Sequence, residues 1–196
     1  MEVFSAGITA EPLMFKELKF LISYLKEKSI TSKKEIYSKV VEDNIFQYKS
    51  PKSSLRRLNP LFKRYSFLNE ELREVVLTGS LQDATLVTLF AVYKTNDLFA
   101  EFFNIIISEK FERRDYSFSD KDIYSFFISI ESEHTEIAKW KDYTKKKIVQ
   151  VITKILKDSL LLNSSKSLQK CSVTAGVKQL IVNESGKRFI DIIELK

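Results

Sequence analysis

Ile137, Trp140, Thr144, Ile148, Val151 and Ile155 recur at intervals of 3, 4, 4, 3 and 4 residues, and this run constrains the fold more than any other feature of the chain. A side chain returns to one side of an α-helix every ~3.6 residues, whereas a strand alternates every second residue, so the series fits a helix with one buried stripe. It predicts a single long helix over about 135–162. The scarcity of chain breakers extends the inference to the whole molecule. Only 4 Gly and 3 Pro occur among 196 residues, too few for the hairpins of an all-β domain and enough for short links between helices. The expected fold class is all-α, a compact multi-helix globule with a helix-turn-helix-like unit near the N-terminus.

The string SAGIT, residues 5–9, precedes a helix expected over about 11–28, capped by Thr9 or Glu11 and buried through Leu13, Met14, Leu18, Leu21, Ile22 and Leu25. Ser32 and Glu35 spell a capping box for a second helix at 33–42. Ser50 and Pro51 open a third over 51–65, with Pro60 expected to kink it or end it near Asn59. Helices follow at 70–78 between Asn69 and Gly79, from Ser80 and Asp83 to about Tyr93, and over about 97–111. The last two are apolar nearly all round and form the expected core. Ser119 and Asp122 start a seventh helix with Ile123, Phe126, Phe127 and Ile130 inward.

After Leu162 the run NSSKSLQKCS is polar and lacks acids, which reads as a loop, or a loop with a short strand making a wing near 163–173. Two short helices at 175–182 and 187–195 close the chain. The expected organisation is a helical core at 1–162, containing the helix-turn-helix-like unit at about 31–66, and a small C-terminal helical appendage at 163–196, or one single domain.

Lys plus Arg outnumber Asp plus Glu by 32 to 26, a modest excess of +6 that matters because it is unevenly placed. The stretch QYKSPKSSLRRLNPLFKR, residues 47–64, carries Lys49, Lys52, Arg56, Arg57, Lys63 and Arg64 with no acidic residue. Helical spacing puts Lys52, Arg56, Asn59 and Lys63 on one face and Leu55, Leu58, Leu61 and Phe62 largely on the other. Ser50 and Ser53 add hydroxyls at the helix start, where backbone N–H groups favour an anion. Seven lysines from Lys139 to Lys157 decorate the long helix, and between the first and the last of them Asp142 is the only acid. Lys145, Lys146 and Lys147 are the densest group among them. The plain alternative for either surface is a solvated basic face on a core helix.

Enzymatic chemistry lacks its parts. His134 is the only histidine and Cys171 the only cysteine, so neither a His-based triad nor a His metal site has supporting residues. Gly7, Gly79, Gly176 and Gly186 stand alone, which excludes glycine-rich phosphate loops. Glu17-Leu18-Lys19 and Glu194-Leu195-Lys196 spell E-x-K without the upstream carboxylate on a strand that a nuclease needs. A non-enzymatic protein with no cofactor, metal or small-molecule substrate is expected. One cysteine and no apolar run approaching about 18 residues point to a reducing cytoplasm and no membrane partner.

The SAGIT string, NIFQYKSPKSSLRRL, LFAVYKTNDLFAEF and KWKDYTKKKIVQVITKIL, taken as an ordered set, resemble the BrxA family of bacteriophage exclusion (BREX) defence systems. The resemblance spans residues 5 to about 162 and extends less securely through the final helices. It implies an all-helical, cytoplasmic, non-enzymatic component that binds double-stranded DNA, in the company of a DNA methyltransferase, ATPases and a phosphatase-like protein. With the charge pattern, it gives as candidate nucleic-acid-binding residues Lys49, Ser50, Lys52, Ser53, Arg56, Arg57, Lys63, Arg64, Lys145, Lys146 and Lys147. A module that docks on other defence subunits and an RNA-binding helical protein are the alternatives.

Overall fold

In the computed structural model, which describes residues 4–30 and 32–194, helix α5 (Leu81–Thr95) is buried without a break from Asp83 to Val92. A helix can be buried on every side only if its polar groups find partners. Thr85 Oγ1 donates to the Leu81 carbonyl at 2.7 Å and Thr88 Oγ1 to that of Ala84 at 2.8 Å. Asp83 accepts from the Ser80 hydroxyl at 2.9 Å and from the Thr174 amide at 3.2 Å.

Around α5 pack α1 (Phe15–Lys28), α3 (Pro51–Phe67), α4 (Glu70–Thr78), α6 (Asp97–Phe102) and α11 (Ala175–Asn183). Helix α2 (Lys33–Glu42) lies on α3. After α6 the chain passes through a π-helical turn (Phe103–Ile107) into α7 (Ser108–Glu112), then α8 (Asp120–Ile130), α9 (Thr135–Ala138), α10 (Asp142–Asp158) and, last, α12 (Lys187–Ile193). Phe189 of α12 stacks on Phe103 and tilts against Phe90, each with centroids 5.3 Å apart, so the C-terminal helices share one apolar cluster with the rest. Burying a phenylalanine fully contributes about 1.5–3 kcal/mol, which ties this end of the chain firmly to α5.

Several expectations change. The long helix is two helices, because Lys141 is extended (φ −64°, ψ 150°) between α9 and α10. Both pieces bury the same stripe, and Trp140 at the joint meets Phe127 edge-on at 6.2 Å, so the spacing survives the break and does not reveal it. The first α-helix starts at Phe15; residues Ala6–Ala10 form a 3-10 turn capped by Ser5, and Met14 turns the chain in the left-handed region at φ 52°. Ser32 stands at the start of α2 without a side-chain cap bond.

Pro60 does not end α3 at Asn59. It sits buried within a 17-residue helix, where it removes the hydrogen bond to the Arg56 carbonyl while the buried neighbours Leu58, Leu61 and Arg64 keep the helix in place. Leu55 is 41% exposed rather than inward. Near 163–173, among the described residues, only the isolated bridges Ser117–Ser167 and Leu162–Leu168 occur, with no strand.

Candidate nucleic-acid interface

The connection between α2 and α3 turns through left-handed Asn44 (φ 44°) and Gln47 (φ 54°), and the Asn44 side chain accepts from the Tyr48 amide at 3.0 Å. This delivers Tyr48 and Lys49 to the start of α3. There Pro51 takes the first helical position and Ser50 Oγ accepts from the Ser53 amide at 3.3 Å. The Ser50 and Ser53 hydroxyls also bond each other at 2.9 Å, so one of the two keeps a hydrogen to donate elsewhere. Tyr37 of α2 donates to Asn59 Oδ1 at 2.6 Å and packs edge-on to Phe62, which locks α2 against α3.

The basic residues of this stretch meet three different fates. Lys49, Lys52, Arg56 and Lys63 are exposed, with no carboxylate within 4.0 Å among the described residues. Arg57 is half-buried. Its guanidinium lies 5.6 Å from the Tyr48 ring and 3.9 Å from Glu17 Oε1, which also accepts from the Tyr48 hydroxyl at 3.0 Å. Burial and then the Glu17 charge push the Tyr48 phenol up to about 12.

Arg64 is 1% exposed, which removes it from any surface. Its Nη1 donates to the carbonyls of Pro12 and Leu13, both at 2.8 Å, and Nη2 donates to that of Glu11 at 3.1 Å, while Nε has no partner among the described residues. Burial lowers its pKa to about 10 against the opposing pull of Glu11 and Glu17, and it remains a cation near neutral pH. The side chain expected to touch phosphate instead satisfies three consecutive carbonyls just ahead of α1, groups that no regular element pairs there.

That clamp positions the segment 9–13 between α3 and α10. The 3-10 turn packs on α10, and the result is an open groove of about 610 Å³ lined by Lys49, Ser53, Arg56 and Arg57 on one side and by Lys147, Val151 and Lys154 on the other. Thr9, Ala10, Pro12 and Tyr48 complete the lining, which contains no acidic residue. Lys154 pairs with Asp158 at 3.0 Å one turn further on, and Lys147 has no such partner among the described residues.

The lysines of α10 therefore separate. Lys147 enters the groove; Lys146 is exposed outside it; half-buried Lys145 points to Glu131 at 3.7 Å, at the end of α8. Lys52 and Lys63 stay on the outward face of α3, outside the groove lining. Sequence reasoning did not single out Lys154 or Tyr48. The interval from Lys147 to Lys154 is two helical turns, which marks them as sharing a face; nothing local marks Tyr48.

Among the described residues no group of three or more His, Cys, Asp or Glu side chains is placed to hold a metal. Buried Cys171 has its thiol pushed up to about 11 by desolvation, which makes it a poor nucleophile. His134 packs on the Phe4 ring at 4.2 Å with Nδ1 3.5 Å from Glu136. No helix among the described residues is long and apolar enough to cross a membrane.

A family model described as BrxA matches residues 2–185. The protein "BREX protein BrxA" of Bacillus cereus (strain H3081.97) is 28% identical over 165 residues, covering 84% of this chain and 82% of its own. An uncharacterized protein from Magnetospirillum magneticum, known from its crystal structure, shares the fold at a TM-score of 0.79 and 18% identity, with all of both chains covered.

Proposed function

This chain belongs to the BrxA family of BREX phage defence, and from that premise we propose that it is a non-enzymatic, cytoplasmic accessory protein that binds double-stranded DNA through the start and outward face of α3. The observation that carries the reading is the exposure of Lys49, Lys52, Arg56 and Lys63 without an acidic partner among the described residues. Four such cations on one helix and its approach are free to replace the counterions of a phosphate backbone. The helix start, with a Ser50 or Ser53 hydroxyl to donate, supplies a further contact to a phosphate oxygen. Buried Leu58 and Leu61 and the Tyr37–Asn59 bond hold α3 in place behind this surface, so its backbone is set before binding. Contacts of this kind fix position without reading bases, so sequence preference is weak unless Arg56 reaches a guanine edge.

An electrophoretic shift with duplex DNA at several salt concentrations tests this. Affinity is expected to fall with salt at a slope on the order of −4, from about 0.9 per neutralised phosphate. A protein that leaves duplex unshifted at low salt contradicts the proposal, and a shift confined to RNA favours the RNA-binding alternative.

A second reading, docking on another BREX protein such as the methyltransferase or an ATPase, is favoured by a different observation. Ile128 of α8 is 73% exposed and Tyr143 of α10 is 78% exposed, on helices that pack on each other, and apolar side chains exposed together in one patch mark protein interfaces. Co-purification that survives nuclease treatment and is lost in Ile128→Glu is the expected result for that reading.

A further inference from the structure

We propose that the groove between α3 and α10 seats the sugar-phosphate chain of one unpaired strand, so that the preferred partner is duplex DNA carrying a single-stranded branch; this rests on the nucleic-acid reading above. The cations fall into two sets of different geometry. Lys52 and Lys63 lie on the outward face of α3, open to a broad partner. Lys49 and Arg56 stand at the edge between that face and the groove, exposed to a broad partner and also lining the groove with Lys147 and Lys154, and the lining contains no acid.

Cations gathered along two walls favour an anion lying between them, and Lys49, Arg56 and Lys147 have no carboxylate partner of their own among the described residues, whereas Lys154 also holds Asp158 at 3.0 Å. A strand within a duplex is covered along one side by its own bases and its partner strand, so it offers phosphates to one wall at a time. An unpaired strand offers them to both. The open groove, of about 610 Å³, has room for a short run of chain.

The floor fits the same ligand. Ala10, Pro12 and Val151 give the sugars an apolar bed. The Tyr48 ring is already covered by Arg57 and by Phe46, whose centroid is 5.7 Å away, so the groove offers charge rather than a base-stacking platform. Strand binding without base preference follows. Because Arg64 fixes the segment 11–13, and the 3-10 turn packs on α10, the two walls are set before any ligand arrives.

The test compares three probes of one sequence: a blunt duplex, the same duplex with a single-stranded tail of about six nucleotides, and the single strand alone. The tailed duplex is expected to bind at least ten-fold tighter than the blunt one. Lys147→Ala with Lys154→Ala is expected to bring that ratio close to one, whereas Lys63→Ala weakens both probes alike and preserves the ratio. Thermal melts confirm that each variant is folded. A tail that adds less than two-fold, or a ratio unmoved by the α10 substitutions, overturns the proposal while leaving duplex binding intact. Binding of the single strand without the blunt duplex supports the groove assignment and removes the duplex reading, and no binding of any probe removes both.

Discussion

Arg56, Arg57 and Arg64 come from one acid-free stretch and do three different things. Arg56 is exposed without an acidic partner among the described residues, Arg57 is shared between Tyr48 and Glu17, and Arg64 is buried on backbone carbonyls. The last two are seven residues apart, so helical spacing puts them on one side of α3. Periodicity gives the side a residue occupies and not its depth, and depth changes along α3 from the groove at Arg57 to the interior at Arg64. Arg64→Met is expected to lower stability by about 2–4 kcal/mol in urea unfolding, since three carbonyls, that of buried Leu13 and those of half-buried Glu11 and Pro12, lose their donors at ~1 kcal/mol each. Arg56→Gln is expected to change stability by no more than about 0.5 kcal/mol, as for an exposed side chain without partners, while weakening duplex binding.

The junctions between helices carry the next level of the account. Lys110 at the end of the α6–α7 helix, only 11% exposed at its side chain, bonds Asp115 and Asp122 at 2.9 Å each and so ties α7 to the capped start of α8. Bonds from the Ser117 hydroxyl, the Lys110 ammonium and the Ser117 amide hold Asp115 down at about 2, below its ordinary 3.8. A carboxylate depressed in the fold stabilises fully above its unfolded value and loses that contribution as it is protonated. Part of the stability is therefore present above about pH 4 and disappears as pH falls toward 2. Urea midpoints measured from pH 5 to pH 2 are expected to decline less steeply in Asp115→Asn than in the parent.

At the α11–α12 junction, a Cβ on Gly186 would stand 2.5 Å from the Ile181 carbonyl and 2.7 Å from Phe90 Cε2. Gly186→Ala is expected to cost about 1–3 kcal/mol by overpacking, read as a lowered thermal midpoint. Element boundaries of this kind were legible where the signal is local. Ser50, Asn69, Ser80 and Ser119 each cap the helix that follows them. The break between α9 and α10 and the late start of α1 were not legible, because Trp140 on Phe127 and Arg64 on residues 11–13 are contacts between distant parts of the chain.

At the scale of the molecule, a net charge of +6 on 196 residues is unremarkable, and what distinguishes the chain is placement. The sequence shows two basic helices nearly a hundred residues apart. That one end of each lines a common groove follows from α5 gathering α1 and α3 around it and from the 3-10 turn resting on α10, which no pattern within either helix could disclose. Duplex binding requires the uncompensated cations at the start of α3 to act together on a polyanion. Salt-dependent duplex affinity of the parent and of the folded double variant Lys52→Glu, Arg56→Glu measures that claim most directly. The expected result is a loss of about 100-fold or more at low salt, with the salt slope falling by about 2 for the two phosphates no longer neutralised. Equal affinity and an unchanged slope in a folded double variant would contradict it.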